Sequence, residues 1–148
     1  MRIYIIGMPA AGKSTYGRSL ASRRGMGFVD LDDLIVEREK MSIPKLFETV
    51  GEYGFRLVEH SALLSTIGMH NVVIACGGGT PCFGDNMQIM NKNGETIWLK
   101  CAIPELVRRI RSDSNKRPLL SDIENIEEYL KKLLSMREEY YSLAQKII

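Results

Sequence analysis

The chain has 148 residues, 45% of them hydrophobic, which is enough for a single domain with a buried core. Twenty basic residues against eighteen acidic ones leave a net charge of +2. That balance argues against a nucleic-acid binder held by bulk positive charge and against an acidic solvating tail. The three cysteines, Cys76, Cys82 and Cys101, are odd in number and show no CxxC spacing, so they read as reduced, buried thiols. The apolar run at residues 3–6 is too short for a signal-peptide core, and Lys13 follows it closely. No stretch approaches the roughly 18 apolar residues of a membrane span. The expected location is the cytoplasm, with neither nucleic acid nor membrane as a partner.

Residues 2–6 form a short apolar, β-rich run closed by Gly7, the pattern of a buried strand. Residues 14–24 read as a helix ended by Gly25 and Gly27. Phe28 and Val29 form a second strand running into Asp30, after which Asp32 or Asp33 is placed to cap a helix ending near Lys40. Ser42, followed by Ile43 and Pro44, starts another helix. A longer one covers residues 52–67, with Phe55, Val58 and Ala62 on one face. Residues 72–75 are a third apolar strand, broken by Gly77, Gly78 and Gly79, and a helix is predicted over residues 85–91. Residues 96–99 are a fourth strand, and Pro104 opens a helix to about Arg111. Residues 112–117 are polar and read as a mobile loop, and residues 122–146 return to helical spacing. Alternation of strand and helix implies a parallel sheet covered on both faces, within one domain spanning residues 1–148.

Residues 7–14, Gly-Met-Pro-Ala-Ala-Gly-Lys-Ser, fit the phosphate-loop pattern GxxxxGK followed by Ser or Thr, between a strand and a helix. Small residues let backbone N–H groups turn inward around phosphate oxygens. The following helix points its positive end at the same anion. Lys13 suits the β- and γ-phosphates, and the Ser14 hydroxyl suits Mg²⁺. No NKxD segment reads a guanine base, and the strand at residues 72–75 ends in Cys76 and glycines rather than an aspartate. The metal therefore needs another carboxylate, and Asp30, at the end of the second strand, is the candidate.

Three further features bear on an acceptor. Asp30 and Asp32 lie two residues apart beyond a strand, which also fits a helix cap plus a first-turn acid. Arg56 and Glu59 lie three apart on a helix, which also fits a surface salt bridge worth a few tenths of a kcal/mol. The glycines at 77, 78 and 79 fit a flexible turn, and they also let backbone approach a ligand closely.

Together these segments resemble shikimate kinase. The matching pieces, in order, are GMPAAGKST, FVDLDDLI, LFETVGEYGFRLVE, VVIACGGGTP, KRPLL and MREEYY, and they span residues 7–141. The resemblance implies a three-layer α/β/α kinase of the P-loop class. Its features would be a central parallel sheet, a substrate-binding helical segment at about residues 31–60 and a lid at about residues 110–120. It implies ATP and Mg²⁺ as cofactors, shikimate as the small-molecule partner and a monomer. In that reading Gly7, Ala10, Ala11, Gly12, Lys13, Ser14 and Thr15 hold the nucleotide, and Ser14 and Asp30 serve the metal. Asp32 binds ring hydroxyls and is the base for the attacking one. Arg56 and Arg137 clamp the carboxylate, Gly77, Gly78 and Gly79 offer backbone, and Phe47 and Phe55 wall the pocket. Arg117 closes from the lid onto the phosphates, and Arg109 lies near the base.

Three departures stand out. Ala10 occupies a position usually held by glycine. The segment before Arg117 is one residue longer than in some relatives, which leaves the nucleotide partner open among Arg108, Arg109 and Arg111. The family's last strand and helix are expected to be lacking, although Ile147 and Ile148 are placed to begin another strand. Rival readings are another kinase of this fold, acting on gluconate or a nucleoside monophosphate, and a non-catalytic nucleotide-binding module. Arg56 and Arg137 with Asp32 favour a carboxylated polyol over the first. The presence of Lys13, Asp32 and Arg117 together argues against the second.

Overall fold

Ile3, Tyr4, Ile5 and Ile6 are all fully buried, and alternate side chains face opposite sides of the strand. Ile3 and Ile5 pack with Leu20, Ala21, Val73 and Ile97. Tyr4 and Ile6 join the larger cluster on the other side, with Leu31, Leu63, Ile74, Trp98 and Leu106. A strand buried on both faces belongs at the centre of a parallel sheet. The computed structural model, which describes residues 1–112 and 125–148, places it there.

The sheet contains β1 (Arg2–Ile6), β2 (Gly27–Asp30), β3 (Val72–Ala75), β4 (Glu95–Trp98) and β5 (Lys146–Ile147), in the spatial order β2-β3-β1-β4-β5 with all neighbours parallel. Among the described residues the helices are α1 (Lys13–Arg24), α2 (Leu31–Glu39), α3 (Ile43–Ser65), α4 (Asn86–Asn93), α5 (Ile103–Ser112) and α6 (Ile126–Tyr141). The α/β architecture expected from the sequence is present. No helix among the described residues is long and apolar enough to cross a membrane. The three cysteines are free, with Cys76 buried and the other two half-buried.

Several boundaries differ from expectation, each for a local reason. The N-cap of α2 is Asp30, not Asp32 or Asp33: its backbone is extended and its carboxylate accepts the Asp33 N–H at 3.2 Å. The two helices predicted around residues 43–67 form one run, α3, broken by Gly51 at φ 75°, ψ 178°. The last helix stops at Tyr141, and its predicted start at 122 lies outside the described residues. After Tyr141 the chain is drawn back to the sheet. The Gln145 N–H donates to Thr96 Oγ1 at 2.9 Å, and Asn91 Nδ2 donates to the Leu143 carbonyl at 3.0 Å. This turn delivers a short fifth strand where the family's last strand is expected to be lacking and the sequence predicts only a strand start at Ile147, with Lys146 opposite Ile97 and Ile147 opposite Trp98.

Ala10, the alanine at a glycine position, has φ 67°, in the left-handed region. That backbone costs a residue with a Cβ roughly 1–2 kcal/mol. Ala10→Gly should therefore raise unfolding stability by about 0.5–1 kcal/mol, once glycine's greater freedom in the unfolded chain is counted. The readout is a higher urea midpoint at unchanged m-value; an equal or lower midpoint would show that Ala10 is not strained.

Candidate active site

β1 ends at Ile6, and the chain turns into α1 through the loop at residues 7–12. A Cβ on Gly7, at φ 148°, would lie 2.7 Å from the Leu99 carbonyl oxygen, so only glycine fits between the loop and the end of β4. α1 begins after Gly12, and no side chain caps it. Its first N–H groups are thus left to an anion. Lys13 Nζ donates to the carbonyls of Gly7 at 2.9 Å and Met8 at 2.8 Å, which folds the ammonium back across the loop. Arg109 reaches the same loop, with Nη1 on the Ala10 carbonyl at 3.1 Å and Nε on Glu105 at 3.0 Å. Of the three arginines left open by the sequence, Arg109 is seated on the phosphate loop. Arg108 pairs with Glu105 in an exposed position.

Asp30 lies at the end of β2, in register with Ala75 of β3 and, through it, with Ile5 of β1. One of its oxygens caps α2; the other accepts the Ser14 hydroxyl at 2.6 Å. A hydroxyl and a carboxylate held together beside a phosphate loop form an oxygen donor set. It fits Mg²⁺, which takes few protein ligands and completes its shell with water and phosphate. Among the described residues no cluster of three or more His, Cys, Asp or Glu side chains forms an all-protein metal cage.

Next to this pair, two more carboxylates, Asp32 and Glu59, converge. Asp32, in the first turn of α2, is pushed up to about 6, first by burial and then by the charges of Asp30 and Glu59, while Lys13 pulls it down. A Cβ on Gly77 would lie 3.2 Å from Glu59 Oε2 and 3.5 Å from Asp32 Oδ1, so both acids press on the first glycine after β3. Glu59 is only 1% exposed. It accepts Arg56 Nη1 on one oxygen at 2.8 Å and the Thr80 hydroxyl on the other at 2.8 Å. This is not the exposed i,i+3 bridge that the sequence also allowed. Its burial was legible in part, because Phe55, Glu59 and Ala62 fall at i, i+4 and i+7 on a stripe that is otherwise apolar. Thr80 carried no such signal.

The two other glycines of the loop each lie against a guanidinium. A Cβ on Gly79 would run into the Arg56 guanidinium, and one on Gly78 would lie 2.7 Å from Arg137 Nη1. Arg56 and Arg137, 81 positions apart in the chain, thus flank consecutive glycines. Both line a cleft of about 710 Å³ whose apolar walls include Tyr53, Phe83 and Met136. Phe47 and Phe55, expected as pocket walls, stack on each other at 4.4 Å between centroids. Phe55 is 3% exposed and carries the Arg56 guanidinium 5.5 Å above its ring. Asp32 lies beside Gly77 rather than on the cleft wall. His60, which carries no assigned role, has Nδ1 2.7 Å from Asn86 Oδ1. Arg117 and the rest of the expected lid beyond Ser112 lie outside the described residues.

The family model described as shikimate kinase matches residues 9–148. This chain belongs to the shikimate kinase family. Shikimate kinase of Bacteroides thetaiotaomicron is 39% identical over 149 residues, covering 99% of this chain and 85% of the relative. A crystal structure of shikimate kinase from the same species matches with a TM-score of 0.96 at 38% identity, covering 100% of this chain and 85% of that one. Shikimate kinase from Acinetobacter baumannii, in complex with shikimate, matches at 0.90 with 35% identity over 99% of this chain and 82% of that one. A gluconokinase from Sinorhizobium meliloti, 14% identical with a TM-score of 0.56, shares the fold. The stretch matched to the shikimate kinase family contains Lys13, Asp32, Arg56, the three glycines and Arg137 together.

The raised Asp32 carboxyl has a consequence for stability. A group whose folded-state value lies above its unfolded one opposes folding once pH exceeds both, and does so less as pH falls through about 6 toward 4. Asp32→Asn should therefore stabilise the ligand-free protein at pH 8 by about 1–3 kcal/mol, since one pKa unit is about 1.4 kcal/mol. The gain should fade by pH 4. Urea unfolding of both proteins at the two pH values checks this, and a loss of stability at pH 8 would contradict it.

Proposed function

We propose that this chain transfers the γ-phosphate of ATP to the 3-hydroxyl of shikimate, giving shikimate 3-phosphate and ADP, a step of aromatic amino-acid biosynthesis. The observation that carries the reading is the pair of guanidinium groups on Gly78 and Gly79, set beside a carboxylate with a perturbed pKa and a phosphate loop. A carboxylated polyol needs this combination: a planar cation for its carboxylate and an acceptor for its hydroxyls.

In this mechanism the phosphates lie in the loop at residues 7–14, against the start of α1. Lys13 leaves its own loop's carbonyls for the β- and γ-oxygens and follows the charge that develops during transfer. Ser14 and Asp30 would hold Mg²⁺, which when bound neutralises charge between the phosphate groups. Arg56, fixed by Glu59, and Arg137 grip the acceptor carboxylate, so the far side of the ring is oriented before chemistry. Asp32 accepts the proton of the attacking hydroxyl. A base poised near 6 is mostly deprotonated at neutral pH yet more basic than an ordinary carboxylate, which suits general-base catalysis. Arg109 swings from its seat on the Ala10 carbonyl toward the base end of the nucleotide, and Arg117 comes from the lid onto the phosphates, in a site closed to water. The protein acts as a monomer in the cytoplasm.

The test is steady-state kinetics with shikimate, its methyl ester, gluconate and AMP as acceptors. ADP release should require shikimate and be weak with gluconate or AMP. Lys13→Ala should lower kcat about a hundredfold or more with the fold retained. Asp32→Asn should lower kcat by ~10²–10⁴-fold with a smaller change in KM. Arg137→Ala and Arg56→Ala should act mainly on the KM for shikimate, by roughly 2–5 kcal/mol for an under-paired buried charge. They should cost less with the ester, which lacks that charge. Normal turnover of shikimate by all these variants would place the acceptor site elsewhere.

A further inference from the structure

Tyr141, the last residue of α6, is fully buried, with its ring 5.5 Å from that of Trp98. Its hydroxyl donates to the Gly78 carbonyl at 2.6 Å, and the Met8 sulfur of the phosphate loop lies 4.0 Å from the same oxygen. Arg137 lies one helical turn earlier, on the same face of α6. Its guanidinium rests against Gly78. One end of α6 thus delivers two groups to one peptide. Gly78 in turn packs on the phosphate loop, since a Cβ there would lie 3.2 Å from Pro9 Cδ and 3.5 Å from the Gly7 carbonyl.

A peptide plane is rigid and trans, so holding the Gly78 carbonyl also fixes the direction of the Gly79 N–H, which points the opposite way from the same plane. Gly79 lines the acceptor cleft. Neither glycine has a side chain to anchor this plane, and glycine samples the widest range of backbone conformations. The Thr80 N–H bonds the Gly77 carbonyl at 3.2 Å and the Cys82 N–H the Gly79 carbonyl at 3.1 Å, on either side of this peptide, but its own carbonyl is held by Tyr141. The charged groups facing it are those of Arg137, one turn earlier on α6, and of Arg56, on α3. Burial raises the phenol to about 12, so it remains a neutral donor throughout the working pH range.

We propose that Tyr141 is a positioning residue of the acceptor site: its hydroxyl locks the Gly78–Gly79 peptide, and with it the setting of Arg137, against the phosphate loop. The proposal rests on the reading of this cleft as the shikimate site.

Tyr141→Phe tests it, because the ring and its packing on Trp98 are kept while the donor is lost. The Gly78 carbonyl then loses its buried partner, an effect the size of one unsatisfied acceptor. The KM for shikimate should rise about tenfold, with kcat and the KM for ATP changing by less than about threefold. In the ligand-free protein, amide exchange at Gly79 should accelerate about tenfold, a readout that does not depend on which acceptor is used. Lower thermal stability with unchanged KM and unchanged Gly79 exchange would reduce Tyr141 to a packing residue and overturn the proposal. A raised KM without faster Gly79 exchange would overturn it as well, since the effect would not run through this peptide. If the wild-type protein failed to phosphorylate shikimate, the functional reading would fall, and the exchange measurement alone would still decide the role of Tyr141.

Discussion

Parallel strands that share a register end together, and this constraint organises the site. Ile5, Ala75 and Asp30 lie side by side across β1, β3 and β2. Three connecting segments therefore emerge at one edge: the phosphate loop after β1, three glycines after β3 and an acidic turn after β2. A ligand at that edge touches all three without any long loop having to find it. The hydrophobic alternation that buries β1 on both faces thus also fixes where the chemistry is placed.

The edge concentrates charge, and the structure manages this by pairing some groups and leaving others under tension. Glu59 has both oxygens occupied, one by Arg56 and one by Thr80. A buried ion pair is weak evidence for stability, since desolvation offsets most of its attraction. Its value here is geometric, because it determines where the Arg56 guanidinium stands relative to Gly79. Asp32, by contrast, is buried among like charges, and its acidity moves toward neutral. Stability is lost there, and on the reading proposed above reactivity is gained, the usual relation between a strained group and a functional one.

Much of this was legible in the sequence because it is local. The phosphate loop, the strand that precedes it and the cap at Ser42 depend on residues within a few positions of one another. Resemblance supplied the pairing of Arg56 with Arg137, which no local pattern could give across 81 positions. Features built from distant pairs stayed hidden. Thr80 reaches Glu59 across 21 positions and Tyr141 reaches Gly78 across 63, and neither residue type at its position signals a partner. The cap of α2 is ambiguous among three nearby aspartates because any of them satisfies the same rule, and backbone geometry alone separates them. The end of the chain is equally hard to read, because two residues of strand carry too little periodicity. Side-chain bonds from Asn91 and Gln145 pull that segment into place.

The lysine of the phosphate loop illustrates how such a site waits for its ligand. Its ammonium already holds two carbonyls of its own loop, so the loop keeps its shape with no anion present. On the reading proposed above, nucleotide arrival is an exchange of partners rather than the filling of a void: the two carbonyls are given up for charged phosphate oxygens. The affinity gained is only the difference between the two sets of bonds, and little ordering of the chain is required. An uncharged mimic of the phosphate would forfeit that difference and find the lysine already engaged. On that reading, discrimination in favour of highly charged phosphates is built into the resting state of the loop.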